Sequence, residues 1–220
     1  MNTPRIQAIL FDKDGTIFDS EKIYCESWIE SAKAFNVPFS AKDYDKYVGI
    51  RANECYRLAQ KEFGTDFPLD DFMRHNRAFI DEQKRRGIPV KPGFISFFDK
   101  ARQTGVPLGL VTSSARDAAI LSFTGTDFLR HFEVFVTGDD VENAKPSPEC
   151  YFLAAQRLNI SPDNILVFED SNAGVQAALE AGCNVIAIPD YLEINKKLQK
   201  KCWHLLDSFN EADFTLNHIN

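Results

Sequence analysis

The stretch Ile9-Leu10-Phe11-Asp12-Lys13-Asp14-Gly15-Thr16 runs from an unbroken apolar segment into two carboxylates one residue apart, then into a glycine and a hydroxyl residue where the backbone must turn. In an extended strand the side chains at i and i+2 project to the same side. Asp12 and Asp14 therefore face one pocket, where like charges so close need a cation or a shared proton. That arrangement suits an aspartate nucleophile beside an aspartate acid/base, bridged by Mg²⁺. The plainer reading is a strand that ends in an Asp-rich turn, since Asp and Gly are ordinary turn residues.

Working outward, five short apolar runs at residues 6–11, 108–111, 134–136, 165–168 and 185–188 read as buried parallel strands. From the second onward they alternate with helical spacing, as over 149–158 and 173–181. Such alternation predicts an α/β fold with an open parallel sheet covered on both faces. Ligands in these sheets bind at the carboxyl ends of the strands, where Asp14, Thr112 and the pair Glu169-Asp170 fall.

The interval from residue 18 to about 90 breaks the alternation. It shows helical spacing in Ile23, Trp28, Ile29, Ala32 and Phe35, and again in Tyr56, Leu58, Ala59 and Phe63. It contains no convincing strand, and it closes on the Pro/Gly stretch Ile88-Pro89-Val90-Lys91-Pro92-Gly93, which reads as a hinge. The expected division is a catalytic core of residues 1–17 and 91–220 with a helical cap of residues 18–90 inserted between the first two core strands. Cap motion would be absorbed near residues 18–20 and 88–92. The tail after Asp190, with Trp203-His204-Leu205-Leu206, is expected to add an edge strand and a helix.

Composition narrows the classes. The chain has 220 residues, of which 44 % are hydrophobic, with 19 phenylalanines for a densely packed core. Its formal charge of −7 and the lack of a long basic run argue against a nucleic-acid partner. An anionic substrate would meet an unfavourable overall field and need local cations. The five cysteines are scattered and odd in number, without C-x-x-C spacing, which suits a reducing compartment and disfavours a disulfide framework or a zinc site. No apolar run approaches the roughly 20 residues that span a bilayer, and the N-terminal run is cut off by Asp12 too early for a signal peptide. The expectation is a cytoplasmic protein without a membrane partner.

Three further segments sit at strand ends. Thr112, Ser113 and Ser114 follow Leu110-Val111, where a hydroxyl with nearby N–H groups can hold a phosphoryl oxygen or simply cap a helix. Lys145 lies in Ala144-Lys145-Pro146-Ser147-Pro148; a lone loop lysine is usually solvated. Glu169-Asp170 closes Val167-Phe168 and precedes a helix, so these acids are either N-terminal caps or hard oxygen ligands for Mg²⁺.

The order of these segments decides among the readings. Asp-x-Asp-Gly-Thr, then strand-Thr-Ser, then Lys-Pro, then strand-Glu-Asp resembles the four motifs of the haloacid dehalogenase superfamily, in its phosphatase and β-phosphoglucomutase branch. Lys91-Pro-Gly-Phe, Ala144-Lys-Pro-Ser-Pro-Glu and Phe168-Glu-Asp-Ser-Asn-Ala-Gly-Val-Gln-Ala-Ala strengthen the likeness, which covers residues 6–188. It implies a Rossmann-like core with a helical cap, and a Mg²⁺-dependent phosphatase acting on a small phosphorylated metabolite through an aspartyl-phosphate. By position it implies Asp12 as nucleophile and Asp14 as acid/base. Thr112, helped by Ser113, would hold the phosphoryl group, and Lys145 would balance charge on Asp12 and the phosphoryl oxygens. The metal would be held by Asp12, the backbone carbonyl of Asp14 and Asp170, with Glu169 as a ligand or the partner of one. Arg51, in Gly49-Ile50-Arg51, matches a cap-loop arginine that touches the non-reacting part of the substrate. Lys13 departs from the pattern, in a slot more often apolar.

The alternative is a mutase of the β-phosphoglucomutase type, which would return the phosphoryl group to a second sugar hydroxyl. Such mutases carry a cap histidine where this chain has Tyr24, and His75, His131, His204 and His218 all lie elsewhere. That difference favours hydrolysis. A dehalogenase would need neither Asp14 nor a metal, and a non-catalytic relative would be expected to lack one of these residues. Phosphoglycolate, a hexose or pentose phosphate, and a nucleotide-like monoester all fit as substrates at this level. Asp14 also needs a hydrogen bond from the cap to remain a usable acid beside Mg²⁺, and its donor is not evident in the sequence.

Overall fold

The computed structural model describes residues 5–48, 50 and 52–219. Six parallel strands form one open sheet: β1 (Ala8–Phe11), β2 (Leu108–Val111), β3 (Val134–Val136), β4 (Ile165–Glu169), β5 (Asn184–Ala187) and β6 (His204–Leu205), in the order β3-β2-β1-β4-β5-β6. Phe11 is level with Leu110 on one side and with Phe168 on the other. The chain crosses from β3 at one edge to β4 beyond β1, so the strand order reverses at β1. A crevice opens at such a reversal, at the carboxyl ends of the strands.

The apolar run of β1 is continuous because both of its faces are covered. Ile9 and Phe11 point into a phenylalanine-rich cluster on one face, while Ala8 and Leu10 point into an aliphatic cluster on the other. Among the described residues nine α-helices flank the sheet or lie between β1 and β2: α1 (Glu21–Ala34), α2 (Ala41–Tyr44), α3 (Ala52–Phe63), α4 (Leu69–Arg86), α5 (Phe94–Gln103), α6 (Arg116–Ser122), α7 (Glu149–Leu158), α8 (Asn172–Glu180) and α9 (Lys196–Gln199). In α5 the buried residues Phe94, Phe97, Phe98 and Ala101 follow i, i+3, i+4, i+7 spacing, one helical stripe laid on the sheet. Phe11 stacks on Phe168 at 5.5 Å and meets Phe94 edge-on at 5.5 Å. Each such buried ring contributes about 1.5–3 kcal/mol of burial free energy. Tyr151 of α7 and Val175 of α8 close the opposite face.

Helices α1–α4 enclose a third cluster, in which Trp28 stacks on Tyr47 at 4.0 Å and packs against Phe72. The two connections to the sheet run side by side. Phe18 bridges Val90 in antiparallel fashion, Asp19 N–H donates to the Pro89 carbonyl (2.9 Å), and Lys91 N–H donates to the Ile17 carbonyl (2.9 Å). Beyond β5, Tyr191 reaches back and its ring meets Tyr44 edge-on. The tail supplies β6, paired in parallel with β5, and a 3-10 helix (Phe209–His218) whose Phe209 enters the phenylalanine cluster. Among the described residues no helix is long and apolar enough to cross a membrane.

Candidate active site

β1 delivers Asp12 into the crevice. The Asp12 N–H donates to the Phe168 carbonyl at 3.0 Å, which levels the ends of β1 and β4. β4 ends in Glu169, followed by Asp170, and all three carboxylates are buried. Lys145 arrives from the loop before α7. Its Nζ lies 2.6 Å from Asp12 Oδ1 and 2.6 Å from Glu169 Oε1, and it donates to the Val111 carbonyl at 3.2 Å. Burial alone would lower the Lys145 pKa, but Asp12 and Glu169 together raise it well above its ordinary value. The ammonium is permanent here.

Glu169 is fixed on every side. Tyr151 donates to Oε1 at 2.9 Å, while Oε2 accepts from the Asp170 N–H (3.1 Å), the Ser171 N–H (3.3 Å) and the Ser171 hydroxyl (3.2 Å). A Cβ at Gly174 would stand 1.8 Å from Glu169 Oε1, so α8 approaches this closely only with glycine there.

One carboxylate oxygen from each of Asp12, Glu169 and Asp170 lies within 4.8 Å of the others. Burial, opposed by Lys145 and reinforced by Glu169, pushes Asp12 up to about 7. Burial and the charges of Glu169 and Asp12 push Asp170 well above the carboxylate range. Three buried acids against one ammonium would leave an excess of negative charge once all are ionised. An all-oxygen donor set of this kind suits a hard divalent cation. A second observation agrees: Asp190 Oδ2 is buried without a hydrogen-bond partner, on the same side as Asp170. A Cβ at Gly15, whose φ is +78°, would stand 2.1 Å from Asp170 Oδ2 and 3.1 Å from Asp190 Oδ2. The residues present therefore fit such an ion.

Asp14 projects towards α1. Its Oδ1 accepts from Lys13 Nζ (2.6 Å), Tyr24 OH (2.8 Å) and Ser20 Oγ (2.9 Å), and its Oδ2 accepts from Ser114 Oγ (3.0 Å). Burial would raise its pKa, but Lys13, Lys84 and the Lys13 and Tyr24 hydrogen bonds hold it well below the usual carboxylate range. Lys13 is completely buried and also donates to Ser122 Oγ at 3.2 Å. The buried Lys84 of α4 donates to the Ala118 carbonyl of α6 at 3.0 Å and lies 5.7 Å from the centre of the Tyr24 ring.

Of the residues singled out from sequence, Asp12, Lys145, Glu169 and Asp170 meet in one cluster, with Asp14 beside it. Thr112 is buried at the end of β2, where its Oγ1 accepts from the Ser114 N–H at 3.1 Å. The Ser113 hydroxyl makes no hydrogen bond among the described residues; the neighbouring Ser114 is the one that reaches Asp14. Arg51 lies outside the described residues. Sequence reasoning missed Ser20, Glu21 and Asp190, and it noted Tyr24 only as the place of an absent histidine. Tyr24 donates to Asp14 from α1, but that bond lowers the proton affinity of Asp14, so it is not one that keeps Asp14 an acid. Lys13 gave the one available signal, a charged residue in a slot flanked by apolar and acidic neighbours.

Sheet order, crevice and acid cluster define a hydrolase of the haloacid dehalogenase type. The family profile for haloacid dehalogenase-like hydrolases matches residues 9–188, and the chain belongs to that family, as an enzyme of its phosphoric monoester hydrolase branch. It is 30 % identical over 181 residues to a phosphorylated carbohydrates phosphatase of Thermotoga maritima, covering 80 % of this chain and 82 % of that one. It is 31 % identical over 185 residues to hexitol phosphatase A of Escherichia coli, covering 84 % and 83 %. A crystal structure of a Thermotoga maritima protein provisionally assigned as a β-phosphoglucomutase superposes with a TM-score of 0.80 at 27 % identity, over 96 % of this chain and 99 % of that one.

Proposed function

We propose that this enzyme is a Mg²⁺-dependent phosphatase for sugar or sugar-alcohol monophosphates, working through an aspartyl-phosphate on Asp12. The observation that carries the reading is the single ammonium of Lys145 shared at 2.6 Å by Asp12 and Glu169. It tethers the attacking carboxylate from β1 to the acids at the end of β4. When bound, the cation would be held by Asp12, the Asp14 carbonyl and Asp170, with Glu169 as ligand or partner, and would offset the repulsion between a carboxylate and a phosphoryl dianion.

Lys145 holds Asp12 through Oδ1 alone, and Oδ2 has no hydrogen-bond partner among the described residues. Attack by Asp12 forms its bond to phosphorus as the ester P–O bond breaks, and Asp14 gives a proton to the departing alcohol oxygen. Asp14 then takes a proton from the water that attacks phosphorus and frees Asp12. Its four donors keep Asp14 ionised before substrate arrives, which suits it directly to the second half. For the first half Asp14 takes up its proton from solvent water as the incoming dianion raises its proton affinity.

Helices α1–α4 are read as the cap, residues 18–90, hung on the paired linkers. From it Glu21 supports the sugar assignment. This residue is buried in the first turn of α1, and Tyr44 OH donates to its Oε2 at 2.9 Å, while Oε1 accepts nothing among the described residues. Burial and the charges of Asp14 and Asp190 push it up to about 7. An acid there welcomes hydroxyl donors and repels a second anionic group, so it favours a neutral polyol over phosphoglycolate. The named activities of the two phosphatase relatives, on phosphorylated carbohydrates and on hexitol phosphate, point the same way.

The test is phosphate release from hexose, pentose and hexitol phosphates and from phosphoglycolate, with Mg²⁺ and with EDTA. Release from the polyol esters that EDTA abolishes is expected. No release from any ester in Mg²⁺ would overturn the reading. Conversion of β-glucose 1-phosphate to glucose 6-phosphate would replace it with the mutase alternative.

A further inference from the structure

The orphaned oxygen of Asp190 points to one more residue in the cation site, beyond those the motifs imply. Asp190 lies just past β5, its side chain 11 % exposed, and Lys91 Nζ pins its Oδ1 at 2.5 Å. Oδ2 is sealed from solvent, and it is the one buried side-chain oxygen or nitrogen among the described residues that has no partner. Leaving a buried acceptor unmade is costly, and more so for a charged group. A donor from outside the polypeptide would satisfy it. The Gly15 backbone separates Asp190 Oδ2 from Asp170 Oδ2: a Cβ there would stand within 3.1 Å of the first and 2.1 Å of the second. With φ at +78° and that crowding, glycine leaves a gap between the two carboxylates that any other residue would fill.

We propose that Asp190 Oδ2 accepts a hydrogen bond from a water carried by the divalent cation, making Asp190 a positioning residue of the metal site. Mg²⁺ gives up its waters reluctantly and usually keeps several, each a strong donor. A carboxylate oxygen next to a protein ligand of the ion is where one of those protons is satisfied. Lys91 extends the consequence. Its N–H bonds the Ile17 carbonyl across the paired linkers, so the residue that pins Asp190 also joins the two connections to α1–α4. Removing a partner of this kind, one shell beyond the ion, typically weakens metal binding 10–100-fold.

The proposal rests on the cation site proposed above, and the experiment separates the two. Mg²⁺ binding is measured by titration calorimetry on the wild-type chain and on Asp190→Asn, with the melting temperature of both recorded in EDTA. Asn keeps an oxygen for Lys91 but can place a donor, not an acceptor, where Oδ2 stands. Expected are wild-type binding, an Asp190→Asn affinity lower by about 10-fold or more, and metal-free melting temperatures that agree. Wild-type binding with Asp190→Asn within 2-fold of it overturns the Asp190 assignment and leaves the cation site standing. Absence of Mg²⁺ binding by the wild-type chain overturns the cation site and Asp190 with it. If Asp190→Asn melts early in EDTA, Lys91→Met, which frees Asp190 without altering Oδ2, decides: retained affinity there supports the water contact, and an equal loss contradicts it.

Discussion

Lys13 Nζ sits 2.6 Å from Asp14 Oδ1, with the lysine side chain wholly out of contact with solvent. A slot that is usually apolar thus holds a cation against the carboxylate assigned to proton transfer. An opposite charge at such range typically lowers a carboxyl pKa by about 1–3 units. Lys13→Met, similar in volume, should therefore let the Asp14 pKa rise. If Asp14 must be ionised to activate water, the acidic limb of the kcat–pH profile moves upward by about 1–3 units. An unshifted limb would show that Lys13 serves packing alone.

Tyr24 OH donates to Asp14 Oδ1 from α1 and favours the ionised carboxylate, the form that the proposed water-activating step uses. A hydrogen bond to a charged group contributes about 1.5–3 kcal/mol, so Tyr24→Phe should lower kcat/KM by roughly 10–100-fold with little change in melting temperature. Steady-state kinetics on the best sugar phosphate, at a pH where wild type is maximal, gives the answer.

Lys84 makes stability depend on pH in a direction opposite to that of a paired lysine. Burial, then the charge of Lys13, push its pKa down from 10.5 to about 8, against the pull of Asp14. Between those values the unfolded chain holds the proton more tightly than the folded one, so folding stability from this group rises with pH from about 8 to 10.5. Below pH 8 the full penalty is present, on the order of 3 kcal/mol. Lys84→Met should flatten that slope and stabilise the protein at neutral pH. Urea unfolding at pH 7 and pH 10 measures it; an unchanged slope would contradict the burial of the ammonium.

On the proposed reading, the charge of Glu21 sets the leaving-group preference. Glu21→Gln keeps the Tyr44 contact and removes the charge, so turnover of phosphoglycolate should rise relative to that of a hexitol phosphate, by about 10-fold if one charge repulsion of roughly 1.4 kcal/mol is relieved. The ratio of the two kcat/KM values is the readout, and no change in it would remove Glu21 from the account of specificity.

The sheet was legible because parallel strands buried on both faces leave continuous apolar runs, and four of the five runs match the observed strands within one residue at either end. The N-terminal run was read two residues too long. Ile6 does not extend the ladder to β2 or β4 but bridges Ile219 of the tail, a partner no local pattern announces. Asp12 and Asp14, Lys145 and Glu169-Asp170 could be read because their order and strand-end placement are set by the backbone. Lys13, Glu21 and Lys84 could not. A charged side chain is ordinarily solvated, and only the tertiary partners Ser122, Tyr44 and Ala118 show that these three are enclosed.

The metal-free acids predict how the cation binds. Asp12, pushed up to about 7, and Asp170, pushed well above the carboxylate range by burial and its acidic neighbours, act as ligands only once deprotonated, so Mg²⁺ affinity should rise with pH and binding should release protons. Calorimetry in buffers of different ionisation enthalpy counts them. Binding without proton release would show that these acids are already ionised.

On the proposed mechanism, phosphorus is captured by the carboxylate at the end of β1. Borohydride added during turnover of a sugar monophosphate reduces an acyl phosphate where it stands, and peptide mass spectrometry then locates the change. Reduction confined to Asp12, dependent on Mg²⁺ and lost in Asp12→Asn, is the predicted result. Sustained phosphate release with Asp12 unmodified, or full turnover by Asp12→Asn, would contradict it.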